Sequence, residues 1–68
     1  MKTAHEIKMK FGKGGIVVDI VIPAGTRCKP AGHDQFFVAD LSWLDRNSMT
    51  WHDAYYYGIR LNADQVTP

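Results

Sequence analysis

Hydrophobic and polar residues alternate strictly at the start of this chain. In Glu6-Ile7-Lys8-Met9-Lys10-Phe11, the residues Ile7, Met9 and Phe11 share one parity and the three charged residues share the other. A period of two predicts a half-buried strand, because successive side chains of an extended chain point to opposite faces. Gly12-Lys13-Gly14-Gly15 follows and predicts a tight reversal, since glycine tolerates the positive φ that short turns require. Ile16 to Ile22 is rich in β-branched residues and predicts the returning strand. One of its faces, Ile16, Val18, Ile20 and Ile22, is fully apolar, and the other, Val17, Asp19 and Val21, is mixed. The two segments read as an N-terminal hairpin.

The pattern continues in short units. Pro23-Ala24-Gly25-Thr26 is a turn by composition. Arg27-Cys28-Lys29 predicts a short strand that Pro30 ends, and residues 31–34 a loop. Gln35 to Leu44 alternates again, with Phe37, Ala39, Leu41 and Trp43 on the expected core face and Phe36, Val38, Asp40 and Ser42 opposite. Asp45-Arg46-Asn47-Ser48 reads as a second hairpin turn, Met49 to His52 as its returning strand, and Tyr55 to Leu61 as the last strong strand. Asn62 and Gln65 stand at capping-box spacing, predicting one short helical turn, after which Val66 closes on the core. The expectation is a single all-β domain over residues 1–68. It has five or six strands in a twisted antiparallel sheet or a partly closed, SH3-like barrel, with one short C-terminal helical turn. The expected core is Ile7, Met9, Phe11, Val18, Ile20, Phe37, Leu41, Tyr57, Ile59 and Leu61.

Composition narrows the functions. The chain has 68 residues, 46% hydrophobic and 22% charged, which is globular rather than disordered. A domain this small buries only about 60% of its unfolded surface and has little room for a deep cleft, so the expectation is not an enzyme. No apolar run approaches the roughly 20 residues of a spanning helix, and the first six residues lack the apolar core of a signal peptide. The single cysteine, Cys28, fits a reducing compartment. Together these predict a cytoplasmic protein with no membrane partner, a monomer or a homodimer. The net charge of +1 argues against a strong general polyanion binder. The charges are unevenly placed. Lys2, Lys8, Lys10, Lys13, Arg27 and Lys29 outnumber Glu6 and Asp19 before residue 31, whereas Asp34, Asp40, Asp45, Asp53 and Asp64 outnumber Arg46 and Arg60 after it.

Candidate chemistry is sparse. Cys28, His5, His33 and His52 lack the paired spacing of a structural zinc site, so no metal and no cofactor are expected. A Cys28 nucleophile would need a histidine base and an oxyanion site that nothing in the sequence specifies. His52-Asp53 reads as a structural corner between two strands. The aromatic set is more informative: Phe11, Phe36, Phe37, Trp43, Trp51, Tyr55, Tyr56 and Tyr57 exceed what one face of a small core takes. Rings on the other face, together with arginine, are the residues that anchor protein interfaces. Phe36, Trp51, Tyr56 and Arg60 are therefore the expected partner-binding residues, with Lys8 and Lys10 as a basic flank. The same aromatics interleaved with cations would also suit a single-stranded nucleic-acid platform on a small barrel.

A strand ending in Ile22-Pro23-Ala24-Gly25-Thr26, an aromatic strand, Trp51-His52-Asp53-Ala54-Tyr55-Tyr56-Tyr57-Gly58-Ile59 and a terminal Asp64-Gln65-Val66 resemble short accessory proteins of phages and prophages. The resemblance covers roughly residues 15–66. It implies an accessory or inhibitory protein that docks on a host protein or defence complex, as anti-CRISPR proteins do. A non-enzymatic protein-binding module of this kind is the expected function, with a β-barrel that binds single-stranded nucleic acid as the alternative.

Overall fold

The computed structural model describes residues 1–13 and 15–68. Gly14, in the expected reversal, lies outside the described residues. Among them the chain forms seven strands in three small antiparallel sheets, none of them closed, and one α-helix. The order is β1 (Lys2–Thr3), β2 (Ile7–Lys13), β3 (Ile16–Ile22), β4 (Cys28–Pro30), β5 (Gln35–Val38), α1 (Met49–Tyr57), β6 (Arg60–Asn62), a 3-10 turn (Ala63–Gln65) and β7 (Val66–Thr67).

The N-terminal hairpin forms as the alternation predicts, with Ile7 opposite Ile22, Met9 opposite Ile20 and Phe11 opposite Val18. Its base is core and its tip is not. Ile22 is completely buried and Ile7 and Ile20 are buried, whereas Val18 is exposed and Ile16 is 75% exposed. Val18 therefore leaves the expected core: β3 is longer than the body it packs on, so its apolar face continues past the other elements. Gly12 is required opposite Val17, near the end of the paired strands. A Cβ there would collide with the backbone of Ile16 and Val17.

β4, β5 and β6 form a three-stranded sheet. Cys28 faces Val38 across β4 and β5, and Phe36 faces Leu61 across β5 and β6. Cys28, Val38 and Leu61 are buried and Phe36 packs against them, so this is the inner face. Phe37 takes the outer face, which reverses the expected parity. The expectation weighed Leu41 and Trp43 as strand residues, but β5 ends at Val38. Beyond it the chain turns, with the Ser42 N–H donating to Asp40 Oδ1 (3.0 Å) and Trp43 Nε1 donating to the Asp40 carbonyl (2.6 Å). Leu41, Trp43 and Leu44 then pack on the core from a loop.

The larger departure is α1, which replaces the strands expected at 49–52 and 55–57 and makes the fold β-rich rather than all-β. The Asp45–Ser48 turn forms, with the Asn47 N–H on Asp45 Oδ1 (3.0 Å), but it launches a helix. Ser48 is its N-cap, its hydroxyl accepting from the Trp51 N–H at 3.1 Å. Gly58, at φ 79°, stops it. Threonine, tryptophan and tyrosine are mediocre helix formers, so packing must decide, and Ala54 is the small residue that lets the helix approach the core. Tyr57, expected inside, is exposed on this helix, and His52-Asp53 lies within it rather than at a strand corner.

The chain ends are tied in. Thr3 is buried; its hydroxyl donates to the Pro23 carbonyl (2.7 Å) and accepts from the Thr26 N–H (2.9 Å). β1 pairs with β7, and the N-terminal backbone also bonds the 26–28 segment, the Thr3 N–H donating to the Thr26 carbonyl and the Cys28 N–H to the Met1 carbonyl, each at 2.8 Å. The predicted 3-10 turn is present, with Gln65 Oε1 accepting from the Asn62 N–H at 2.9 Å, and Val66 is buried as expected.

Candidate aromatic docking surface

The helix presents an unusual outer face. A surface helix ordinarily shows charged and polar residues to solvent, yet α1 exposes Met49, Tyr55, Tyr56 and Tyr57, with Tyr56 79% exposed. Trp51 and Tyr55 stand four residues apart, which places them on one side of the helix. Their rings stack at 5.2 Å with only 11° between planes. The Arg46 guanidinium lies 5.4 Å over Trp51, and His52 meets the same ring edge-on. These contacts hold the side chains against one another on the surface.

At the C-terminal end of α1 the patch reaches the outer face of the sheet. Lys29, Phe37 and Arg60 are direct cross-strand neighbours on β4, β5 and β6. Arg60 lies 5.2 Å over the Phe37 ring. A cavity of about 300 Å³ opens beside Phe37, with Leu41, Ala54, Tyr56 and Gly58 among its walls and Lys29 at its edge. The Gly58 backbone closes directly on Phe37, since a Cβ there would stand 2.8 Å from two ring carbons.

Of the expected partner-binding residues, Tyr56, Trp51 and Arg60 belong to this surface. Phe36 does not; it packs against the core with Leu61. Lys8 and Lys10 lie on the hairpin, on the solvent side of β2, where Lys10 pairs with Asp19 at 3.1 Å. Sequence reasoning missed Phe37, Lys29, Tyr55, Met49 and Arg46. The Trp51–Tyr55 spacing would have shown the stack had the segment been read as a helix. The Lys29–Phe37–Arg60 row depends on strand register, which no local signal carries.

The other reactive side chains are scattered. Cys28 is buried, with its thiol 3.4 Å from the Thr26 carbonyl, and burial raises its pKa. His33 is exposed beside Asp34 at 3.2 Å. Among the described residues no three histidine, cysteine or acidic side chains gather into a metal-binding group, and no helix is long and apolar enough to cross a membrane. No family model, curated protein or solved structure matches this chain.

Proposed function

We propose that this chain is a non-enzymatic docking module that binds a protein partner through the aromatic face of α1 and the adjoining Phe37–Arg60 corner. The observation that carries this reading is the Trp51–Tyr55 stack on a helix whose outer face is aromatic. Tyrosine, tryptophan and arginine supply large contact area with few rotatable bonds, and rings already stacked lose little further entropy on binding. An accessory or inhibitory role of the phage type, in the cytoplasm of a host cell, fits a small module with a preformed anchor surface. The finer architectural reading, a partly closed SH3-like barrel, is supported by the way β6 runs through the 3-10 turn into β7, which pairs with β1 beside the segment leading into β4.

Binding of single-stranded nucleic acid is the second reading, favoured by Arg46 over Trp51 and Arg60 over Phe37. Near-neutral net charge weighs against it, as does the separation of Lys8 and Lys10 onto the hairpin.

Affinity capture from nuclease-treated bacterial lysate separates the two. The docking reading expects a protein recovered in stoichiometric amount with the wild-type chain and lost with Tyr56→Ala and Trp51→Ala. Recovery of nucleic acid alone from untreated lysate, with submicromolar binding to single strands at physiological salt, would replace it with the second reading.

A further inference from the structure

The row Lys29–Phe37–Arg60 has a chemistry of its own. In the strand register Phe37 stands between two cationic residues on one sheet face, with the Arg60 guanidinium over its ring, beside a cavity of about 300 Å³ walled in part by Leu41 and Ala54. Among the described residues neither Lys29 nor Arg60 lies within ion-pair distance of a carboxylate; the pairs formed are Lys10–Asp19 and His33–Asp34. The face therefore offers an apolar seat with Lys29 at its rim and the Arg60 guanidinium 5.2 Å over the Phe37 ring, neither cation paired with a carboxylate. The cavity is at the lower limit for a small-molecule site, a size suited to one large side chain.

We propose, resting on the protein-docking reading, that this seat takes an aromatic or large aliphatic side chain from an acidic segment of the partner, flanked by carboxylates that meet Lys29 and Arg60. The dimensions agree. Adjacent strands lie about 4.8 Å apart, so the two cations are rooted about 10 Å apart across Phe37. Carboxylates two residues before and two residues after an anchor share its face in an extended segment and are rooted about 13 Å apart, and the long lysine and arginine side chains span the difference. A nucleic-acid strand would instead need a groove of cations that follows successive phosphates. Here the cations number two at one seat, and the nearby helix carries Asp53.

The test is a titration of the ¹⁵N-labelled full chain, followed by NMR, with four probes: acetyl-Glu-Ala-Phe-Ala-Glu-amide, acetyl-Lys-Ala-Phe-Ala-Lys-amide, acetyl-Glu-Ala-Ala-Ala-Glu-amide and an octathymidylate. The acidic phenylalanine peptide should give saturable shifts centred on the Phe37 and Gly58 amides, with affinity about tenfold or more above either control peptide. Lys29→Gln and Arg60→Gln should each weaken it about two- to fivefold, as loss of one exposed ion pair does, with the rest of the spectrum unchanged. Absence of saturable shifts at Phe37 and Gly58, equal binding of the lysine peptide, or tighter binding of the octathymidylate would each overturn the assignment. Failure here is distinguishable from failure of the docking reading. A captured protein that depends on Tyr56 and Trp51 but tolerates Lys29→Gln and Arg60→Gln would leave docking in place and remove only the acidic segment.

Discussion

The Phe37 ring lies directly against the backbone of Gly58, so closely that no side chain fits between them. Gly58 has φ 79° and ψ 153°, a region that is essentially closed to other residues. One residue thus ends α1, turns the chain into β6 and sets the wall of the cavity beside Phe37. Gly58→Ala should destabilise the fold by about 2–4 kcal/mol through backbone strain and the clash together. Adding Phe37→Ala should recover the steric part only, leaving the double variant less stable than Phe37→Ala alone. Denaturant melts of the four proteins measure this cycle. Equal stability of Gly58→Ala and wild type would show that the helix ends elsewhere.

Thr3 joins the N-terminus to the 23–26 turn through one hydroxyl that both donates and accepts. Thr3→Val keeps the shape and leaves the Thr26 N–H without its partner. The expected loss is about 1–3 kcal/mol, the cost of an unsatisfied buried donor. Hydrogen exchange should accelerate at the Thr26 amide more than at amides of β2. A melting temperature matching that of the wild type would contradict this arrangement.

Position along β3 decides what its apolar residues contribute. Ile22→Ala should cost about 2–5 kcal/mol, as for a fully buried aliphatic side chain, which is enough to unfold much of so small a domain. Ile16→Thr at the exposed tip should change stability by about 0.5 kcal/mol or less. It should also slow aggregation, because it replaces an exposed apolar side chain by a polar one at the end of an apolar segment in a two-stranded sheet. Similar melting shifts for the two variants would show that the tip is packed.

Burial holds the proton on Cys28, raising its pKa, while the positive N-terminus opposes this more weakly. The thiol should therefore react with a thiol reagent far more slowly in the native protein than in denaturant at pH 8. The sign of the pH dependence follows. Above the ordinary thiol pKa of about 8.5 the unfolded chain releases a proton that the folded chain retains, so Cys28 lowers stability as pH rises through that range. Cys28→Ala should flatten this alkaline slope in melts taken between pH 7 and 10. An unchanged slope would assign it to other groups.

The hairpin and the C-terminal turn are legible because their determinants are local. Period-two alternation from Ile7 to Phe11, the β-branched run from Ile16 to Ile22 and the Asn62–Gln65 spacing each act within a few residues, and each element forms where they point. The segment 49–57 misleads for the converse reason. Its threonine, tryptophan and tyrosines favour a strand, and only the Ser48 cap, the Gly58 stop and a lone Ala54 between them hint at a helix. The parity of Phe36 and Phe37 is likewise ambiguous until the end of β5 is known.

Sequence alone thus determined a β-rich chain opening with a hairpin, Ile7, Ile20, Ile59 and Leu61 in the core, and an excess of aromatic rings that one small core does not absorb. Tertiary structure alone decided that those rings ride on a helix, that Phe37 rather than Phe36 faces outward, and that Lys29, Phe37 and Arg60 form one row. The physical reason is range. Alternation and capping act through neighbours in the chain, whereas facing and register depend on which distant element supplies the opposing surface, as Leu61 does for Phe36 and Gly58 for Phe37.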